Sequence, residues 1–380
     1  MHSDAPTPWL GGLSPAQFMR RHWQKKPLLV RQAWPDAAAP IERRGLFALA
    51  ARDDVESRLV RREGRGWALR HGPLPRRALP PLKRPGWTLL VQGLDLHLPA
   101  ARALLDRFAF IPHARLDDLM LSWASDRGGV GPHVDSYDVF LLQVAGRRRW
   151  RIGRCRDPRL RPSLPLKILA RFEPEQEWVL EPGDLLYLPP MWAHDGEAVG
   201  ECMTASIGFR SPARDEIARA LMARCLDDEE ADPPAGPSRL YADPSQPATE
   251  HPGRVPAALA DFAAEALRQA LGDGERIGQW LGEWLSEPKP GVWFDAGTAP
   301  APGAGLRLDA RSRMLYDDRC LYLNGESWRM GGRDAQVLRR LADRRRIEAR
   351  ELARLSAPAR TTVAEWIDAG WLHGDRDDDR

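Results

Sequence analysis

Cysteine is scarce: Cys155, Cys202, Cys225 and Cys320 stand far apart with no CxxC pair. That spacing indicates neither a disulfide framework nor a thiolate zinc site. No apolar run approaches the roughly 20 residues of a membrane-spanning helix. The opening stretch MHSDAPTPWL lacks the basic and apolar regions of a signal peptide. The expected setting is therefore the cytoplasm, with reduced thiols. Net charge is scarce as well, because +3 is too little to announce a nucleic-acid binder. Lysine is rare beside arginine, a bias better ascribed to a GC-rich bacterial genome than to a physical need, so single arginines carry little weight. No internal repeat is present.

What is present is a soluble globular composition, 43% hydrophobic and 29% charged over 380 residues, long enough for two or three domains. Ser14-Pro15-Ala16-Gln17 reads as a capping box with proline at the first helical position, opening a short helix through Trp23. Strand-like runs then dominate: Trp87 to Gln92, Asp118 to Trp123, Val139 to Val144, Trp150 to Ile152 and Leu185 to Leu188. Gly, Pro and Asp clusters separate them, as in an antiparallel barrel or sandwich, and helical periods are too few for a doubly wound sheet.

The pattern changes at Ser211-Pro212. Helical spacing runs from Arg214 to Glu230 and from Arg254 to Leu285, on either side of a proline-rich loop, Pro233 to Pro252. These helices suit self-association, and a homodimer is expected. SEPKPG, Ser286 to Gly291, reads as a linker. Beyond it come strands with a hairpin turn at Asn324-Gly325 and two helical patterns, around Leu338 and around Trp366, with Gly370 as a C-cap. That order resembles a winged helix. The expected division is 1–212 catalytic, 213–287 helical and dimerising, 288–380 winged-helix-like.

Chemistry concentrates in GPHVDSYDVFLLQVAGRRRW, Gly131 to Trp150. Side chains alternate along a strand, so His133 and Asp135 share a face. An HxD pair alone is a weak signal, and most histidines in such strings are structural. EPGDLLYLPPMWAH adds a turn, a strand and a proline stop just before His194. Two histidines and one carboxylate form a face that leaves octahedral positions open, which suits ferrous iron, although zinc takes the same ligands. Of Arg147, Arg148 and Arg149, the middle one shares a face with Trp150. Facing inward, its fork could bind the distal carboxylate of a keto acid. The plainer alternative is a solvated charge run.

The strings DDLMLSWASDRGGVGPHVDSYDVFLLQVAGRRRWRIG and EPGDLLYLPPMWAHDGEAVGECMTASIGFRSP resemble the JmjC-type ribosomal oxygenases of the cupin superfamily. The nearest resemblance is to the bacterial members that hydroxylate an arginine of large-subunit ribosomal protein sixteen. The likeness extends to HWQKKPLLVRQAW, to the helical middle and to the C-terminal winged helix. It implies a mainly β, double-stranded β-helix core and an Fe(II)- and 2-oxoglutarate-dependent dioxygenase. His133, Asp135 and His194 would hold the metal, and Arg148 with Ser122 the 2-oxoglutarate. O2 would yield a hydroxylated product, succinate and CO2. Asp118, Tyr137 and Ser206 match positions that face the substrate side chain, where a carboxylate can pair with a guanidinium and a phenol ring can stack on it. One departure lies in Ser125-Asp126-Arg127-Gly128-Gly129, which carries two charges where more glycine is expected.

Rival readings are histidyl hydroxylation or lysine demethylation by the same chemistry, a winged-helix regulator with a cupin sensor, and a metal-binding cupin without oxygen chemistry. Direct nucleic-acid binding is not expected, since the last helical region, APARTTVAEWIDAGW, has little positive charge.

Overall fold

The computed structural model describes residues 3–64, 66–231, 239–242, 244, 254–272 and 274–375. The expected proline-rich loop, Pro233 to Pro252, lies almost wholly outside the described residues. The chain divides into two compact units, Met1–Ser211 with Gly291–Trp293, and Pro212–Pro290 with Phe294–Arg380.

In the first unit α1 (Pro15–Arg21) starts from the expected capping box: Ser14 Oγ accepts from the Gln17 amide, and Gln17 Oε1 accepts from the Ser14 amide. It precedes β1 (Leu28–Val30) and α2 (Arg43–Leu49). Then come β2 (Ser57–Glu63), β3 (Gly66–His71), β4 (Trp87–Val91), α3 (Pro99–Asp106), β5 (Leu116–Ala124) and β6 (Asp138–Arg154). The unit closes with β7 (Gln176–Leu180), β8 (Leu185–Leu188) and β9 (Trp192–Phe209). These strands form one antiparallel sheet in the order β1-β8-β6-β9-β5-β4-β2-β3, with β7 paired to β6. Its central members, β6 and β9, are long enough to serve two ends of the sheet. One face packs a core that includes Phe18, Trp87, Trp123, Phe140, Tyr187 and Phe209, the large apolar side chains that drive burial.

The second unit holds α4 (Arg214–Ala231), α5 (Ala257–Ala270) and α6 (Gly274–Ser286). Where the periodicity predicts one helix from Arg254 to Leu285, the structure breaks it after Ala270. Strands β10 (Leu306–Leu308), β11 (Met314–Tyr316), β12 (Cys320–Leu323) and β13 (Glu326–Arg329) follow, then α7 (Gly332–Arg344) and β14 (Arg346–Ile347). Next are α8 (Ala349–Leu352), α9 (Ala357–Asp368) and β15 (Leu372–Gly374). β14-β10-β15 makes the small sheet of a winged helix, and β11-β12-β13 a separate meander with its hairpin at Asn324-Gly325. A core of Leu306, Val337, Leu341, Val363, Trp366 and Leu372, among others, joins α7 and α9 to the sheet.

Val139 to Val144 and Trp150 to Ile152 read as two strands in sequence, but they are one strand interrupted by a bulge. The register against β9 slips between Gln143 and Ala145 and again before Arg147, and Gly146 has φ +61°. A one-residue slip exchanges the two faces of a strand. Before the bulge Phe140, Leu142 and Val144 face the outer core, whereas Val139 and Leu141 face inward. After it the even positions turn inward, and Trp150 and Ile152 join the same inner cluster as Val139 and Leu141. Arg148 goes with them and is 3% exposed, while Arg147 is exposed and Arg149 half-buried. A Cβ at Gly146 would run into the Glu201 carbonyl oxygen and lie 2.9 Å from Cys202 Cα. Gly146→Ala is therefore expected to destabilise the unit by about 1–3 kcal/mol, read as a lowered urea midpoint with an unchanged slope.

Candidate metal and anion site

Three ligand residues of two types, His133, Asp135 and His194, converge where the start of β9 meets the chain ahead of β6. His133 lies just before β6 and is tied to His194 on β9 by a two-way backbone bridge, both hydrogen bonds 3.0 Å. Each imidazole has its Nδ1 on a carbonyl, His133 on Gly131 O at 2.8 Å and His194 on Trp192 O at 2.9 Å. With Nδ1–H donated there, each Nε2 is left free to carry a proton or to bind a cation. Both aim at Asp135 Oδ2, from 3.6 Å for His133 and 3.5 Å for His194. Ligand atoms held about 2.1 Å from one ion stand roughly 3.0–3.5 Å apart; the two contacts to Asp135 are close to that, and all three ligand atoms lie within 4.8 Å of one another. Among the described residues this is the group of three His, Cys, Asp or Glu side chains whose ligand atoms come that near one another.

The electrostatics match the geometry. Burial pushes the His194 imidazole down to about 4, with the neighbouring His133 adding to the effect. Burial opposes protonation of His133 too, but contact with the Asp135 carboxylate outweighs it and raises its pKa. Asp135 is desolvated, yet its hydrogen bond to His133 and the charges of the two imidazoles hold its carboxyl well below the usual range. An ionised carboxylate beside two imidazoles whose Nε2 protons a metal can displace is the donor set for a cation.

Deeper in the same cavity, of about 440 Å³, lies Arg148. Its Nη1 donates to Ser122 Oγ and its Nη2 to the Gly196 carbonyl, both at 3.2 Å, and its guanidinium stacks 5.1 Å from the Trp150 ring. Its Nε is buried with no partner, and among the described residues no carboxylate lies within 4.0 Å of it. Burial lowers its pKa, and the more distant Cys202 and Asp195 oppose that only in part. A buried charge left unpaired costs several kcal/mol, so this pocket is built to take an anion. A glycine is needed opposite: a Cβ at Gly196 would stand 2.7 Å from the Trp150 ring and 2.8 Å from Arg148 Nε.

Ser122 and Ser206 line this cavity with the triad, but Asp118 and Tyr137 are not among its lining residues. Asp118 is buried, and its carboxylate accepts the Gly93 amide at 2.9 Å. Tyr137 is half-buried with its ring against Gly208, beside Asp117. Sequence reasoning missed Arg58, Met120 and the segment between β6 and β7, which brings Leu166 and Ile168 to the cavity wall. Leu169 ties that segment down through its amide to the Pro132 carbonyl, 2.8 Å. Nothing in the local pattern of the segment marks it, because it reaches the site through long-range contacts.

Comparison with known proteins adds family to geometry. Residues 103–217 match the JmjC domain, and residues 266–373 the ROXA-like winged helix. The chain is 36% identical over 264 residues to the Escherichia coli ribosomal protein uL16 3-hydroxylase, an alignment covering 68% of each protein. It is 37% identical over 204 residues to a probable ribosomal oxygenase of Haemophilus influenzae, 53% of this chain and 50% of that one. The crystal structure of Escherichia coli YcfD superposes with a TM-score of 0.85 at 30% identity, covering 96% of this chain and 98% of that one. YcfD has also been solved in complex with cobalt and 2-oxoglutarate, and that structure superposes with a TM-score of 0.81 at 29% identity, covering 96% and 99%. Asp135→Ala is expected to leave the circular dichroism spectrum intact while weakening Mn(II) binding at least about a hundredfold, measured by calorimetric titration.

Proposed function

The chain belongs to the JmjC ribosomal oxygenase family, and from that premise we propose that it hydroxylates an arginyl residue of a large-subunit ribosomal protein, using Fe(II), 2-oxoglutarate and O2. The observation that carries this reading is one cavity holding a two-histidine, one-carboxylate cluster beside a buried guanidinium without a carboxylate partner. The ribosomal protein uL16 is the first candidate substrate, by similarity to the Escherichia coli relative.

His133, Asp135 and His194 hold the metal. Iron and 2-oxoglutarate bound there would supply the oxidative chemistry that hydroxylates an unactivated C–H bond as the keto acid is decarboxylated. The protein's part is placement. Arg148 and Ser122 fix the far carboxylate of the cosubstrate by a charge-assisted hydrogen bond and a hydroxyl contact. Leu166 and Ile168 give the cavity an apolar wall that keeps water from the reacting centre. Ser206, on that wall, and Tyr137 and Asp118, near it in sequence and sheet, are the proposed substrate contacts. Tyr137 offers a ring face to a guanidinium and Asp118 a carboxylate already oriented by the Gly93 amide.

Three functional segments are proposed: catalytic over 1–212, helical and dimerising over 213–287, and winged-helix-like over 288–380. Exposed apolar side chains on the middle helices support the second, with Met222 and Leu226 on α4, Leu259 and Leu267 on α5, and Ile277 on α6. The winged helix is read as a protein-facing module rather than a nucleic-acid reader, because several of its arginines have internal partners. Arg339 donates to the Asp317 and Asp318 carbonyls, Arg340 pairs with Glu351, Arg345 donates to the Ser312 and Asp309 carbonyls, and Arg346 pairs with Asp375. Among the described residues no helix is long and apolar enough to cross a membrane. A cytoplasmic location follows from a ribosomal substrate.

Incubation with Fe(II), 2-oxoglutarate and a mixture of large-subunit ribosomal proteins is expected to add 16 Da, the mass of one oxygen atom, to an arginine, located by tandem mass spectrometry. Oxygen added only to histidine would overturn the arginine assignment. Light scattering of the purified chain is expected to give twice the mass of 42.7 kDa.

A further inference from the structure

The cavity holds a second cation that the roles above leave unassigned. Arg58, on β2, lines it together with the triad and Arg148. Its position is fixed by the sheet, where Arg58 is paired with Leu90, Leu90 with Ser122, and Ser122 with Thr204. Directly paired residues of antiparallel strands project to one face, and all four line the cavity. Arg58 and Ser122 are thus separated by one strand, at strand spacings of roughly 4.8 Å, a gap that the arginine side chain shortens.

The Arg58 guanidinium is poorly matched to its surroundings. Its nearest polar contact is Met120 Sδ, 4.0 Å from Nη2, and its Nε is buried with no partner. Among the described residues no carboxylate lies within 4.0 Å of it. Its charge is still felt at Asp135, whose carboxyl it helps to hold ionised. Three fixed cations, Arg58, Arg148 and Lys167, therefore face one carboxylate, Asp135, and a divalent ion would widen the imbalance. Lys167 is exposed on the segment between β6 and β7. Arg148 and Ser122 take one negative charge at the inner end. A ligand with a second negative charge on the metal side would satisfy Arg58.

We propose that Arg58 is the second anion anchor of this cavity, holding the carboxylate beside the keto group of the cosubstrate while Arg148 and Ser122 hold the far one. The assignment rests on the reading of 2-oxoglutarate as cosubstrate. Arg58 is a positioning residue in this scheme. It orients the keto-acid end toward the triad and, by like-charge repulsion, keeps a cationic substrate side chain from entering the cosubstrate's place.

The test compares two probes that differ only at that end. The full chain, loaded with Mn(II) without oxygen, is titrated calorimetrically with 2-oxoglutarate and with 4-oxopentanoate, which keeps the keto group and far carboxylate but has a methyl in place of the near one. Arg58→Gln is expected to weaken 2-oxoglutarate at least about tenfold and to leave 4-oxopentanoate within about twofold. Arg58→Lys restores part of the loss, and Arg148→Ala weakens both probes. Unchanged Mn(II) affinity and circular dichroism show that the Arg58→Gln variant has folded. Equal effects of Arg58→Gln on the two probes would overturn the assignment. So would weaker Mn(II) binding with unaltered 2-oxoglutarate affinity at saturating metal, which would make Arg58 a support for Asp135 alone. If the unaltered protein binds no 2-oxoglutarate, the cosubstrate reading fails first, a result distinct from an Arg58→Gln variant that binds it normally.

Discussion

The antiparallel ladder between β6 and β9, with the bulge at Ala145–Gly146, is the constraint on which the site depends. Near one end the ladder pairs His194 with Ile152, and a separate backbone bridge from His194 to His133 brings the two imidazoles together. The bulge decides which side chains of β6 look inward. Without the slip the inward parity set by Val139 and Leu141 would continue through Arg147 and Arg149, and Arg148 would face out. Gln143 braces this irregularity. Its amide nitrogen donates to the Ala145 and Gly146 carbonyls, and its oxygen accepts from Thr204 Oγ1, the neighbour of Ser122 across the sheet. A buried polar group at the bulge thus satisfies backbone atoms that the broken ladder leaves over.

A second polar node fixes the other end of the same strand. Asp138 is fully buried and accepts from Tyr187 Oη at 2.6 Å, Arg115 at 3.0 Å and Gln24 at 3.1 Å. These donors come from three separate elements, so the point where the chain enters β6 is held from all of them at once. The metal-facing residues stand only a few positions upstream. Pre-organised ligands of this kind are positioned by the sheet and not by the loop that carries them, which keeps reorganisation on cation binding small.

The cavity's electrostatics follow from the same architecture. Arg148 and Arg58 enter it from strands on different parts of the sheet, each with a buried Nε that finds no partner. Burial of unpaired cations lowers stability, and it is tolerated here because the large aromatic core under the other face of the sheet supplies the stabilising burial. The winged helix shows the opposite arrangement, in which Arg339, Arg340, Arg345 and Arg346 are matched to carboxylates and carbonyls of their own unit. That contrast separates a pocket meant to receive an anion from a surface that is already neutralised.

Much was legible in the sequence where local periodicity and chemistry coincide. The capping box at Ser14, the strand at Leu185–Leu188, the hairpin at Asn324-Gly325 and the winged-helix order all follow from short-range rules, and so does the face that Arg148 shares with Trp150. The long family string pointed to His133, Asp135 and His194, which the fold brings within metal-binding distance. Long-range pairing decided the rest. Whether β6 is one strand or two, and where its faces exchange, depends on β9. Arg58, Met120 and Ile168 reach the cavity only because distant strands lie side by side. Asp118 matches a substrate-facing position in sequence, yet its carboxylate accepts the Gly93 amide, a partner no periodicity reveals. By itself the sequence determined the types of residue and their local conformations. The tertiary structure decided which charges meet and which are left without a partner, because that depends on strand register.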